Sequence, residues 1–189
     1  MASLSVHQST IIRGTTMNTS IGIIGIGNPL MRDDGIGVTV LGHLRTNPIL
    51  SPAISSDEEE GPGLKFIELG TGGMTVLHYL AKLDGALIID SGNMGLAPGE
   101  FRVFSPDEVE SVKFLSGQSL HEFDLLQAIG MSRKLGECPP HLMIMAIQPE
   151  SVEWGEGLSP SVEQNVDDYV SKAVETIVQL IAEVESCTQ

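Results

Sequence analysis

The stretch that most constrains the fold of this chain is an apolar run followed at once by a tight turn and a helix pattern, residues 21–38. Ile21–Ile26 is short, apolar and β-branched, which is typical of a parallel strand buried on both faces. Gly27–Pro29 then predicts a tight turn. Apolar residues recur at every fourth position from Ile36 to Leu44 and predict one face of a helix. The stretch is therefore a strand–turn–helix unit.

Two adjacent carboxylates, Asp33 and Asp34, lie between this turn and the helix. Asp33 is at the position of a helix N-cap, and we expect its carboxylate to accept hydrogen bonds from the free amides of the first turn. Asp34 has no such task. Open α/β sheets bind ligands beyond the carboxyl ends of their strands, so Asp34 is the first candidate for a functional carboxylate.

Strand and helix patterns alternate along the rest of the chain. Further strands are expected at residues 65–69, 86–89, 99–105 and 141–147, and further helices at 74–83, from 119 onward, and at 159–185. This alternation predicts an α/β fold of three layers, α/β/α, with a mostly parallel twisted sheet covered on both faces. With 189 residues in total, we expect a disordered extension at 1–17 and a single domain at 18–189.

The composition excludes several kinds of partner. Ten basic and 25 acidic residues give a formal charge of −15. Because the phosphate backbone is bound by basic surfaces, this charge argues against nucleic acid and against an anionic membrane, whereas a cationic segment of another protein fits it. No apolar run approaches the roughly 20 residues that span a bilayer. Two cysteines, Cys138 and Cys187, are too few for a disulfide framework, so we expect a cytoplasmic protein.

Three polar side chains are expected at the carboxyl edge of the sheet. Asp34 follows the first strand, Asp90 follows a fully apolar strand, and His121 lies in the first turn of a helix that Ser119 opens. Loops after parallel strands converge, and two carboxylates with one imidazole suit a divalent metal such as nickel or zinc. Each residue also has a structural alternative: Asp34 as a cap, Asp90 as the acceptor of an Asx turn, and His121 as an ordinary helix residue.

Several familiar patterns are absent or incomplete. The chain contains neither a GxSxG elbow nor an HExxH helix. Gly25-Ile26-Gly27 begins like a dinucleotide loop, but Leu30 occupies the place of the third glycine, which argues against a Rossmann cofactor site. Trp154 has two interpretations: it lines a peptide-binding face, or it packs under the final helix. We expect the second.

Seven motifs follow one another over about residues 21–184. They are Gly25–Val38, Gly70–Met74, Leu87–Asp90, Ala97–Gly99, Ser119–Leu126, Gln148–Ser151 and Gly157–Val162. In this order they resemble the hydrogenase maturation endopeptidases, which remove the C-terminal extension from the large subunit of nickel–iron hydrogenases. The resemblance implies a phosphorylase/hydrolase-like α/β fold, an aspartyl-type endopeptidase activity, and the precursor large subunit as partner. For the oligomeric state, a monomer is the default expectation.

By position, the resemblance places the metal-contacting residues of the family on Asp34, Asp90 and His121. It implies that nickel arrives in the substrate, and that other divalent metals can substitute for it in vitro. Asp34 and Asp90 are the candidates for catalysis, with one of them orienting the attacking water.

The glycine-rich loop after the second strand is the expected substrate-binding element. It consists of Gly70, Thr71, Gly72 and Gly73. Relatives often begin this motif with Asp-Gly-Gly, whereas this chain has Glu68-Leu69-Gly70.

Two other functions are compatible with parts of the sequence. A non-catalytic nickel-delivery or assembly factor would use the same three metal ligands. A peptidyl-tRNA hydrolase also has an opening loop that reads Gly-x-Gly-Asn-Pro, but that family needs a basic RNA-facing surface and a histidine soon after the loop. This chain has a charge of −15 and Asp33-Asp34 instead.

Overall fold

The computed structural model describes residues 17–55, 61–70, 73–108 and 120–187, with the backbone alone at 73 and 120–124. Its strands are β1 (Ser20–Ile26), β2 (Gly63–Leu69), β3 (Gly85–Ser91), β4 (Phe101–Phe104) and β5 (His141–Ile147). Its α-helices are α1 (Ile36–Arg45), α2 (Val76–Leu80), α3 (Leu120–Leu135), α4 (Pro160–Glu163) and α5 (Val166–Cys187).

The five strands form one sheet in the order β2-β1-β3-β5-β4. β1, β2, β3 and β5 are parallel, and only β4 runs antiparallel, at the edge beside β5. The predicted mostly parallel sheet is confirmed. β1 is followed by its neighbour on one side, β2, and the chain then crosses to the other side to form β3. The strand order therefore reverses between β1 and β3, which in open α/β sheets is where ligands bind.

Helices cover both faces of the sheet, so the predicted three-layer α/β/α architecture is confirmed. α1 and α5 pack on one face, where Leu41 and Ile177 are among the buried residues. α2 and α3 pack on the other face, through residues such as Leu80 and Ile129. The central strands need a helical layer on each face of the sheet, because a run such as Ile21–Ile26 is apolar on both of its faces.

The main departures from the predicted elements occur at helix ends. α1 begins at Ile36 rather than Asp34, after a 3₁₀ turn at Arg32–Gly35. The predicted final helix is divided into α4 and α5. The side-chain amide of Asn165 donates to the carbonyl of Ser161 at 2.8 Å, and a side chain that binds a nearby carbonyl competes with the helical ladder there.

The start of the described chain is anchored in the domain. Met17 is buried in the core on the α1/α5 face. Residues 1–16 lie outside the described ranges, so the disordered extension stays a prediction. Within the described ranges, no helix combines the length and apolar character needed to cross a bilayer.

Candidate functional site

The turn after β1 sets Asp34 at the point where the strand order reverses. Gly27 has φ 129°, and a Cβ on it would lie 1.7 Å from the backbone oxygen of Asp34. Only glycine allows the strand to end this close to the following turn. Gly27 therefore gives the chain room to return, which brings Asp34 over the end of β1.

Hydrogen bonds at both oxygens orient the carboxylate of Asp34. The backbone N–H of Asn28 donates to Oδ2 at 2.8 Å, and the hydroxyl of Ser91 donates to Oδ1 at 3.2 Å. Ser91 is the last residue of β3 and follows Asp90, which is 8% exposed. Asp34 thus joins the ends of β1 and β3. Each of its oxygens keeps a second lone pair for a ligand.

The other predicted site residues are only partly described. The backbone of His121 lies in the first turn of α3, and its side chain lies outside the described residues. Thr71 and Gly72 also lie outside them. Gly70 follows β2, and Gly73 begins a 3₁₀ turn before α2.

The metal site stays a prediction. Among the side chains that the structure describes, no group of three or more His, Cys, Asp or Glu is close enough to hold a metal ion. That set includes Asp34 and Asp90 but not the imidazole of His121.

The prediction that Asp33 caps the helix is wrong. The N-cap position of α1 is Gly35, and the side chain of Asp33 turns away from the helix toward the segment between β5 and α4. The backbone N–H groups of Glu150 and Ser151 donate to its Oδ2 at 2.8 and 3.0 Å. Ser159 donates from its backbone N–H to Oδ1 and from its hydroxyl to Oδ2, each at 2.7 Å. Asp33 is therefore a tertiary anchor.

Asp33 is fully buried, yet its contacts favour the ionised form. Burial by itself raises the pKa of this carboxyl, but the hydrogen bonds from Ser159, Ser151 and Glu150 outweigh it and lower the pKa below its ordinary value of 3.8. A buried carboxylate that accepts four hydrogen bonds holds the segment at 150–159 against the turn that carries Asp34.

Backbone hydrogen bonds extend this contact along the turn. The N–H of Arg32 donates to the carbonyl of Gly155, and the N–H of Gly155 donates to that of Leu30, both at 2.9 Å. The N–H of Asp33 donates to the carbonyl of Ser151 at 3.1 Å. Arg32 has φ 47°, the one positive value at a non-glycine residue in the described part of the chain. Such a conformation costs free energy and persists where surrounding contacts enforce it.

The expectation that Trp154 packs under the final helix is wrong. Its side chain is 75% exposed. Gly155, its neighbour, is paired with the turn after β1, so Trp154 lies beside the candidate site rather than beneath α5. Sequence reasoning missed the pairing that decides this, because the pairing joins segments more than 120 residues apart.

The arrangement suits hydrolytic chemistry that uses carboxylates. Asp34 and Asp90 lie at adjacent strand ends, and Asp34 is held in one orientation by Asn28 and Ser91. A carboxylate fixed in this way can orient a water molecule or contact a metal that a substrate brings.

Comparison with known proteins identifies the family. The model of the hydrogenase maturation protease family matches residues 53–179, which is more than half of the chain. The hydrogenase expression/formation protein HupD of Bradyrhizobium diazoefficiens is 27% identical over 89% of this chain and 81% of its own length. The hydrogenase 2 maturation protease of Escherichia coli is 28% identical over 80% of this chain and 87% of its own.

Solved structures show the same similarity. The hydrogenase maturating endopeptidase HybD from E. coli superposes with a TM-score of 0.67, at 28% identity, over 82% of this chain and 89% of that chain. The solution structure of an endopeptidase from Escherichia coli gives a TM-score of 0.70 at 26% identity, over 85% and 93% of the two chains. From these matches and the site geometry, the chain belongs to the hydrogenase maturation protease family.

Proposed function

We propose that this protein removes the C-terminal extension of the precursor large subunit of a nickel–iron hydrogenase after nickel has been inserted. In this proposal Asp34, Asp90 and His121 contact the nickel that the substrate carries. Family membership supports the protease activity, and the name of the E. coli relative, hydrogenase 2 maturation protease, supports the substrate.

The observation that carries the proposal is the position of Asp34 at the reversal of strand order. Its carboxylate is oriented from both sides and lies next to the end of β3, which carries Asp90. Two carboxylates and an imidazole form a donor set that suits nickel and neighbouring divalent ions. We infer that other divalent metals in the substrate can replace nickel in vitro.

A cysteine nucleophile does not fit this site. Cys138 and Cys187 line a shallow cavity with His141, the first residue of β5, at the amino edge of the sheet. The candidate site lies at the carboxyl edge, across the length of the strands. We therefore assign hydrolysis to a water molecule that Asp34 or Asp90 orients, as general-base chemistry requires.

The role of nickel in this proposal is that of a checkpoint. The scissile bond reaches the catalytic carboxylates only when the metal of the substrate completes the contact between the two proteins. Holding reactants in the productive geometry supplies a large part of catalysis, so a precursor without metal is bound in a non-productive way.

The test compares nickel-loaded and nickel-free precursor, with shortening of the large subunit followed on a gel. We expect shortening with loaded precursor only. Asp34→Asn and His121→Ala should lower the processing rate at least ~100-fold, as loss of an essential catalytic contact does. Asp167→Asn, a change of the same kind at an exposed residue of α5, is the matched control. Normal processing by Asp34→Asn would refute the assignment.

The same assay separates the alternative of a nickel-delivery factor. Transfer of nickel to the large subunit without shortening would support that alternative. Membership of the protease family disfavours it, and also disfavours a peptidyl-tRNA hydrolase, which a tRNA-binding assay would reveal.

Three further predictions remain proposals. We infer that the loop Gly70–Gly73 lines the substrate cleft, because it follows β2 at the same edge as Asp34. We also infer that the protein acts in the cytoplasm, which its two free cysteines fit, and that it is a monomer.

A further inference from the structure

Large exposed apolar side chains gather at the edge of the sheet that carries Asp34. Seven such side chains occur among the described residues, and four of them lie in segments at this edge: Leu30, Met74, Val152 and Trp154. Leu30 is in the turn after β1, and Met74 is in the turn after β2. Val152 and Trp154 are in the segment after β5. We call these four residues the apolar rim.

The apolar rim is built into the frame of the candidate site. The backbone N–H of Gly155 donates to the carbonyl of Leu30, and the carbonyl of Gly155 accepts from the N–H of Arg32. Both backbone polar groups of Gly155 are therefore bonded to the turn after β1. Asp33 holds the same segment with four hydrogen bonds and is followed directly by Asp34. Trp154 is thus exposed on a segment that is fixed next to the site, which preorganises the rim for binding.

Acidic side chains flank the rim. Glu153 and Glu156 are exposed on either side of Trp154 and its neighbour Gly155. The whole chain has a charge of −15. The side chain of Arg32 lies against Gly155, so two carboxylates and one guanidinium surround Trp154. The remaining surplus of negative charge favours a ligand that combines apolar groups with positive charge.

We propose that the apolar rim binds an apolar, positively charged segment of the precursor large subunit that adjoins the cleaved bond, with Trp154 as the main anchor. This rests on the proposed function, because it names the surface that holds the substrate of that reaction. Exposed aromatic side chains near the centre of an interface supply much of its binding energy.

Other occupants fit the surface less well. An anionic membrane would meet Glu153 and Glu156 with like charge. A second copy of this chain, placed rim to rim, would bring the same carboxylates of two molecules together. The precursor is the one partner that must reach this edge during the proposed reaction.

The first experiment uses the fact that Trp154 is the single tryptophan of the chain. Protein labelled with 5-fluorotryptophan gives one ¹⁹F resonance, which is titrated with unlabelled, nickel-loaded precursor. We expect this resonance to shift or broaden as Trp154 becomes buried, and to stay unchanged with the same concentration of serum albumin. A resonance that does not respond to precursor would overturn the proposal, whether or not cleavage occurs.

The second experiment measures processing kinetics. Trp154→Ser should raise the KM for nickel-loaded precursor about tenfold with little change in kcat, since it removes binding rather than chemistry. Trp154→Phe should restore KM to within about threefold of the wild-type value. Leu135→Ser, which removes an exposed apolar side chain from the end of α3, is the control and should leave KM unchanged. An unchanged KM for Trp154→Ser would contradict the proposal.

A third experiment tests whether the negative charge beside the apolar rim contributes to binding of the precursor. Glu153→Lys should raise KM by at least about threefold, because it reverses one charge beside the rim. Glu137→Lys makes the same change at an exposed residue of the opposite edge and should have no effect. If the two variants raised KM equally, the net charge of the protein would explain the effect, and the proposal that the apolar rim binds the charged segment would be contradicted.

The outcomes also separate this proposal from the proposed function. If wild-type protein leaves the precursor uncut while the ¹⁹F resonance responds, the protease assignment fails and the rim stands. If the precursor is cut while the resonance and the KM of Trp154→Ser stay unchanged, the protease assignment stands and the rim fails.

Discussion

At the scale of single residues, two adjacent aspartates have different tasks. Asp33 is fully buried and binds the segment at 150–159, whereas Asp34 remains half-exposed between the ends of β1 and β3. Arg32, which has a left-handed backbone conformation, directly precedes both. Asp33 therefore holds the segments of the site together, and the carboxylate of Asp34 remains accessible to a ligand.

The lowered pKa of Asp33 predicts how stability depends on pH. A carboxyl whose folded pKa lies below its unfolded value, about 3.9, stabilises the fold above that pH and loses this contribution as the pH falls through the folded pKa. Asp33→Asn should lower the free energy of unfolding at pH 7 by about 2–4 kcal/mol, since it removes the charge from four hydrogen bonds.

Urea denaturation from pH 7 to pH 3 measures this effect. The difference between wild type and Asp33→Asn should be constant down to about pH 5 and shrink below about pH 4. A difference that grows on acidification would show that the folded protein does not hold Asp33 ionised.

At the scale of elements, the site depends on how closely α1 approaches the sheet. A Cβ on Gly37 would lie 2.3 Å from the backbone oxygens of both Ile26 and Ile89. These are the last residue of β1 and the residue before Asp90. The helix thus lies directly against the ends of β1 and β3, beside which the two candidate carboxylates are placed. Only a glycine at this position permits such a close approach.

Two glycines of α1 make a matched pair of variants. Gly37→Ala should destabilise the protein by about 3 kcal/mol or more, because the new methyl group meets backbone that cannot move aside. Gly42→Ala should stabilise it by about 0.5–1 kcal/mol, because that position is helical, exposed and has open space around it. Thermal unfolding of both variants checks the pair, and equal effects would contradict the close packing of α1.

At the scale of the whole molecule, α5 holds the beginning of the described chain. Glu185 accepts hydrogen bonds from the backbone N–H of Asn18 at 3.1 Å and from the hydroxyl of Thr19 at 2.7 Å. Thr19 is buried and directly precedes β1. The last helix therefore fixes the entry to the strand from which the site is built.

Removing the side chain of Glu185 tests how much this contact contributes to the free energy of unfolding. Glu185→Ala should lower the free energy of unfolding by about 1–2 kcal/mol, because two donors lose an ionised acceptor. Gln179→Ala, at an exposed position of the same helix, should change it by less than about 0.5 kcal/mol. Equal losses in urea denaturation would assign the effect to the helix itself rather than to the contact.

Local sequence patterns account for the sheet and its layers. The apolar run Ile21–Ile26 and the glycine turn after it are confirmed as a buried strand and a tight return of the chain, because both depend on neighbouring residues only. The apolar strands expected at 86–89 and 141–147 likewise predicted a sheet covered by helices on both faces, and they are found as β3 and β5. The motif order also identified the family that the comparisons show.

The sequence by itself thus determined the fold class, the strand–turn–helix unit and the family, since these follow from periodicity, turn chemistry and motif order along the chain. Only the tertiary structure decided the partner of Asp33 and the exposure of Trp154. Asp33 bonds to residues 117 to 126 positions away, and Gly155 pairs with the turn after β1. Contacts over such distances leave no local pattern, because they depend on how β1 and β5 end at the same edge of the sheet.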